Sequence, residues 1–156
     1  MQRFSTMMLE GLQLADVPVE LIWPEPVLGN FVGAGFVAKW LGYVDKFLLF
    51  PRRLKRKLRA QPSLVHICDH SNAMYSRHVG NAPVLVTCHD MLAVRGGLGE
   101  ETDTPASATG KILQRWILAG LRSADVIACD SEATRVDAER LVRRDGERPK
   151  LTVIRL

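Results

Sequence analysis

Three segments of this chain end alike. LVTCHD (residues 85–90), LVHICDHS (64–71) and DVIACDSE (125–132) each run through Val, Ile or Leu to a cysteine and then to Asp or His. A histidine in such a place can hydrogen-bond a hydroxyl and act as acid or base near neutral pH. His89, followed by Asp90, is therefore the first candidate for chemistry, against the plainer reading of a strand-end imidazole satisfied by backbone. Asp69 and His70 occupy the same position in the second segment, where capping the next helix is the competing use. In the third, Ser131, Thr134 and Arg135 open a helix after a strand. A helix N-terminus offers unpaired N–H groups and a positive dipole end, which suit anionic or hydroxylated ligands. Asp130 or Ser131 would serve equally as a plain N-cap there.

Other chemistry is weaker. Cys68, Cys88 and Cys129 with four histidines invite a metal, but no C-x-x-C pair is present, and buried cysteine is commonly a small apolar group. No metal or other cofactor is expected. Arg95-Gly96-Gly97-Leu98-Gly99 looks like a phosphate loop. However, it does not run from strand into helix, and Glu100, Glu101 and Asp103 behind it would repel phosphate. The basic run Arg52, Arg53, Lys55, Arg56, Lys57 and Arg59 follows the aromatic-apolar stretch KWLGYVDKFLLF. Such a pairing can lie in a membrane interface and attract anionic lipid. The competing reading is an amphipathic helix with its basic face in water, its apolar stripe carried on by Leu54 and Leu58.

The elements that must position these residues follow from periodicity. Phe4, Met7, Met8, Gly11, Leu12 and Ala15 predict a helix over 2–15. VELI (19–22) reads as a strand stopped by Pro24 and Pro26, and 29–35 as a loop. An apolar stretch over 36–50 meets Pro51, which should kink or restart a helix. LVHIC, VLVTC, VIAC and LTVI read as strands, and 71–79 as a short helix or turn. Residues 91–110 form the longest stretch without a pattern, a length usually functional or mobile. Helices are predicted around Ile112–Leu121 and over 131–144, the latter with Ala133, Val136 and Leu141 inward. Continuous β-branched runs alternating with helices predict an α/β, Rossmann-like, doubly wound and mainly parallel sheet. Ligands of such sheets sit beyond the carboxyl ends of the strands. The three cysteines would mark the last buried layer, with Asp69, His70, His89, Asp90, Asp130 and Ser131 facing the crevice.

The totals agree. The chain has 156 residues, 47% hydrophobic and 24% charged, with a net charge of +4. That is globular, and too mildly basic to imply nucleic acid. No apolar run reaches the roughly 18 residues of a spanning helix, and MQRFSTMMLE lacks the pattern of a secretory leader. Few, core-like cysteines point to a reducing, cytoplasmic compartment. The chain starts in a helix and stops at LTVIRL, inside a strand pattern, which reads as a fragment of something longer.

Taken together, QRF at 2–4, VHICDHS at 65–71, VLVTCHD at 84–90, ADVIACDSEATR at 124–135 and LTVI at 151–154 resemble the N-terminal domain of family-4 (group 1) glycosyltransferases. The similarity runs over residues 1–156. It implies one half of a GT-B fold, in which two Rossmann-like domains face a cleft. It also implies transfer of a sugar from a nucleotide-sugar donor to a glycan or lipid-linked acceptor, with retention and usually without a metal. By resemblance, His89 lines the cleft beside the transferred sugar, and Ser131 and Thr134 lie at a helix N-terminus on that cleft. Lipid-linked acceptors would bring the basic segment into play, at an anionic membrane surface. The family's first strand would precede Met1, and its donor-binding second domain would follow Leu156, so the chain alone is expected to be inactive. Glu139 and Glu147 have the spacing of the family's paired glutamates but lie in the wrong context.

Two rival readings are kept. One is a non-enzymatic α/β module, peripheral to the membrane through residues 39–59. The other is the dinucleotide-binding domain of a dehydrogenase, weakened by the lack of G-x-G-x-x-G between strand and helix.

Overall fold

The structure, a computed structural model, describes residues 2–24, 41–60, 62–103, 106–143 and 149–154. Contacts divide the chain into two compact units, Gln2–Gln61 and Pro62–Leu156.

In the first unit, α1 spans Gln2–Leu14. Phe4, Met8 and Leu12, four residues apart, form its half-buried stripe. The helix stops where Asp16 turns left-handed (φ 54°). The strand expected at VELI does not form: residues 17–24 carry no regular structure. A strand exists only by pairing, and no described segment pairs with this one, while Pro18 and Pro24 each remove a backbone donor. Pro51 acts as expected, by a specific route. Residues 41–44 are helical, a π-helical turn follows over Asp45–Leu49, and α2 (Phe50–Lys57) then begins with Pro51 in its first turn. Proline has no N–H to give to the fourth residue back, and its ring crowds that carbonyl, so the helix widens just before it. The Phe50 N–H reaches back five residues to the Asp45 carbonyl. Phe50, Pro51 and Leu54 are buried, whereas Arg52, Lys55, Arg56 and Arg59 are exposed. Lys57 pairs with Glu20. Expectations for 25–40 lie outside the described residues.

The second unit is built on four strands, β1 (Val65–Ile67), β2 (Val84–Cys88), β3 (Val126–Cys129) and β4 (Lys150–Val153). They lie in the order β1-β2-β3-β4, and every pair is parallel. This is an α/β fold with a parallel sheet flanked by helices, Rossmann-like in character. Because the strands follow their chain order, no reversal of order occurs among these four. Register pairs share a face. Ile67, Val86, Ile127 and Leu151 line one face, and Val86 and Ile127 in the middle of it are completely buried. His66 and Thr87 lie on the other face, joined by a 2.8 Å hydrogen bond.

Between the strands come a 3-10 helix (His70–His78), α3 (Leu92–Leu98), α4 (Ala108–Leu121) and α5 (Glu132–Val142). α4 packs against both the 3-10 helix and α3. Two glycines make this possible. A Cβ on Gly120 would lie 2.1 Å from the Ala73 carbonyl oxygen, and one on Gly97 would lie 2.4 Å from Gln114 Cβ. α3 itself corrects the reading of 91–110 as patternless. Its two mid-helix glycines hide the periodicity, yet Gly97 is what lets it sit on α4, and Gly99 (φ 94°) ends it. The inward face of α5 also differs from expectation. Thr134, Ala138, Leu141 and Val142 are buried, while Ala133 and Val136 are exposed. Leu141 is inward as expected; Ala133 and Val136 are not, because the helix is turned to hold Thr134 inward by hydrogen bonds.

Candidate functional site

Parallel pairing sends every strand out of the sheet at the same edge. At the end of β2 the His89 side chain is 24% exposed and sits between two neighbours. Its Nε2 is 3.4 Å from the Cys68 carbonyl oxygen at the end of β1, and its Nδ1 is 3.6 Å from Asp130 Oδ2 at the end of β3. Each ring nitrogen, when it carries a proton, faces an acceptor: Nε2–H the Cys68 carbonyl, Nδ1–H the Asp130 carboxylate. The ring is thus oriented by three consecutive strand exits.

The α5 terminus is tied into the same place. Ser131 caps the helix by accepting from the Thr134 N–H at 3.1 Å. Its hydroxyl is 2.9 Å from that of Thr134. The Thr134 hydroxyl in turn lies 3.1 Å from the His89 carbonyl oxygen and 3.2 Å from Asp130 Oδ1, and donates to one of them. Thr134 is buried, so it acts as a strut between the β2 and β3 exits rather than as a free ligand group. Asp130, Ser131, Glu132 and Val153 line an open depression of about 620 Å³ at this edge.

The electrostatics narrow what this edge can hold. Glu132 takes three hydrogen bonds from Arg135, and Glu139 takes a fourth at 2.7 Å. These hydrogen bonds from the guanidinium hold the Glu132 carboxyl below its ordinary range, and they raise Arg135 in return. Arg135 is therefore occupied, and the depression presents Asp130 and Glu132 carboxylates beside the helix N–H groups. A neutral, hydroxyl-rich ligand finds acceptors here; a phosphate would meet the Asp130 carboxylate, Arg135 offsetting the charge of Glu132.

Asp90 is exposed, and its Oδ1 accepts from the Leu92 N–H at 3.0 Å, starting α3. Asp69 and His70 are not open to the edge. Asp69 caps the 3-10 helix by accepting from the Ser71 N–H at 2.8 Å, and both residues are buried. Burial lowers the His70 pKa, while Asp69, 3.6 Å from Nδ1, pulls it upward. The buried Nδ1 has no hydrogen-bond partner among the described residues. Of the strand-end cysteines, Cys88 and Cys129 are buried and Cys68 is half-buried. Among the described residues, no three His, Cys, Asp or Glu side chains gather as a metal cluster.

The sequence reading missed the participation of Glu132 and the link from Thr134 to His89. Glu132 was visible in the SEATR run. The link is a contact across 45 residues that no local pattern encodes.

The family described as glycosyltransferase family 4 matches residues 2–155. The chain belongs to that family, and a glycosyltransferase-type function with sugar donor and acceptor partners follows from membership. No curated protein and no solved structure matches it. No helix among the described residues is long and apolar enough to cross a membrane.

Proposed function

We propose that this chain is the acceptor-side part of a retaining glycosyltransferase that moves a sugar from a nucleotide-sugar to a glycan or lipid-linked acceptor. The reading rests on one observation: His89, oriented by Cys68 and Asp130, stands beside a carboxylate-lined depression suited to hydroxyl groups. His89 would hydrogen-bond and position hydroxyls of the transferred sugar, and Asp130 and Ser131 would complete the contacts. Thr134 would hold the His89 backbone in place. Stabilisation of the departing nucleotide diphosphate and of a developing oxocarbenium ion would supply the rate. The Asp130 and Glu132 carboxylates at this edge favour a diphosphate site elsewhere, which would be on a donor-binding domain.

The test is sugar transfer from a panel of nucleotide-hexoses to glycan and polyprenol-phosphate acceptors. The chain alone is expected to show no turnover. Joined to the donor-binding domain of a family-4 enzyme it should turn over, and His89→Ala should lower the rate at least ~100-fold, the scale of lost positioning. Turnover by the chain alone, or an unchanged rate in His89→Ala, overturns the reading.

A second reading, contact with an anionic membrane surface, is favoured by one face of the first unit. Leu48, Arg52, Lys55, Arg56 and Arg59 follow at helical spacing and are exposed, and the Arg52 guanidinium donates to the Leu48 carbonyl at 3.1 Å. Liposome sedimentation checks it. Binding to anionic but not neutral vesicles should vanish when Arg52, Lys55 and Arg56 are replaced by Gln.

A further inference from the structure

The exits of β2 and β3 carry a thiol pair that sugar transfer does not use. Cys88 and Cys129 are register partners on adjacent parallel strands, so both side chains point to the same face. They are 0% and 1% exposed. Interaction between the two thiols lowers the Cys129 pKa against the opposing effect of burial, while Cys88 is pushed well up. Cys88 Sγ also lies 3.5 Å from Met91 Sδ and 3.3 Å from the Asp90 carbonyl oxygen. Neighbouring strands run about 4.8 Å apart, within the roughly 4.4–6.8 Å between α-carbons that a disulfide spans.

We propose that Cys88 and Cys129 form an oxidative modification site, where hydrogen peroxide joins the ends of β2 and β3 through a reversible disulfide. The Cys129 thiolate attacks one peroxide oxygen. The O–O bond breaks, the sulfur becomes a sulfenic acid, and the released hydroxide takes up a proton as water. The Cys88 sulfur, giving up its proton, then attacks the sulfenic sulfur. The S–O bond breaks, and the second hydroxide leaves with that proton as water. Two thiols lose two electrons and the peroxide gains them.

Cys129 supplies the better nucleophile, and Cys88 resolves it from the adjoining strand. Side chains in parallel register keep their β-carbons nearly a strand spacing apart, wider than a relaxed bridge prefers, so a thiol reductant opens this one readily. Cys68 serves as an internal control. Ile67 pairs with Val86, so Cys68 falls on the row of Thr87, facing away from the pair. The bridge would fix the spacing of the residues that follow directly, His89 and Asp130, whose side chains stand 3.6 Å apart.

The experiment treats the folded full chain with hydrogen peroxide, blocks remaining thiols and maps peptides by mass. The expected result is loss of two of the three thiols, linkage of the Cys88 and Cys129 peptides within one chain, and recovery with dithiothreitol. Cys68→Ser should keep the bridge, and Cys129→Ala should lose it. A bridge through Cys68, a link between chains, over-oxidation of one thiol alone, or thiols that react only after unfolding in urea would overturn the proposal. The wild-type peptide map decides the matter even if an alanine variant fails to fold.

Discussion

The exit of β1 and the exits of β2 and β3 begin from nearly the same residues and end differently. At β1, Cys68-Asp69-His70 runs into the 3-10 helix, Asp69 is spent on the Ser71 N–H, and His70 is only 5% exposed. At β2 and β3, His89 and Asp130 keep part of their surface in water and face one another beside the depression. The cause lies in the helices. The chain after β1 turns into the 3-10 helix, on which α4 packs tightly through Gly120, whereas β3 leads into α5 through the Ser131 cap at the depression. One motif thus makes a buried joint in one place and an open edge in another. Strand-end polarity marks a place where the chain leaves the core; it does not say whether anything covers that place.

Breaking the close approach over β1 should have the largest effect. Gly120→Ala drives a methyl into the Ala73 backbone and should cost about 3 kcal/mol, the upper end for overpacking, read as a lower urea midpoint. It should also open the β1 exit, so that His70 reacts faster with diethyl pyrocarbonate, while His89 is unchanged. A smaller loss is expected on the open side. Thr134→Val removes the hydroxyl that bridges His89 and Asp130 and should cost about 1–2 kcal/mol for a buried hydrogen bond left unmade. Thermal unfolding measures that, and an unchanged melting temperature would remove the strut from the argument.

A pH series sharpens the contrast further. Burial depresses both His70 and His66, whose ordinary value is 6.5. The unfolded chain therefore binds protons that the folded chain refuses as the pH drops below that value. Stability should be full above pH 6.5 and decline toward pH 5, and His70→Gln should flatten part of the decline. Around His70, Asp69, Asp90 and Asp130 oppose the depression and His89 adds to it. The smallest effect belongs to Arg135→Ala, which breaks only exposed pairs with Glu132 and Glu139. It should change stability by less than ~0.5 kcal/mol, yet free both carboxylates and make the depression more acidic. Calorimetric titration with a neutral glycan acceptor would read any change in affinity.

Much of the sheet was legible. LVHIC, VLVTC, VIAC and LTVI announce themselves as β-branched runs, because a strand covered on both faces needs apolar residues at every position. VELI, apolar but for Glu20, reads much the same and forms no strand, since pairing partners are not written into a segment. α3 was hidden for the opposite reason. Gly96 and Gly97 lower its intrinsic helicity, and only the close contact with Gln114 explains why Gly97 stands there.

The sequence by itself determined the alternation of strands and helices, the edge at which polar residues would emerge, and the family. These follow from local periodicity and from motifs contiguous in the chain. Tertiary structure alone decided that His70 is buried while His89 is reachable, that Thr134 supports the His89 backbone from 45 residues away, and that Cys88 meets Cys129. Each of these depends on register and on how closely one helix can approach another. Those distances are set by side chains remote in sequence and brought together only when the sheet closes.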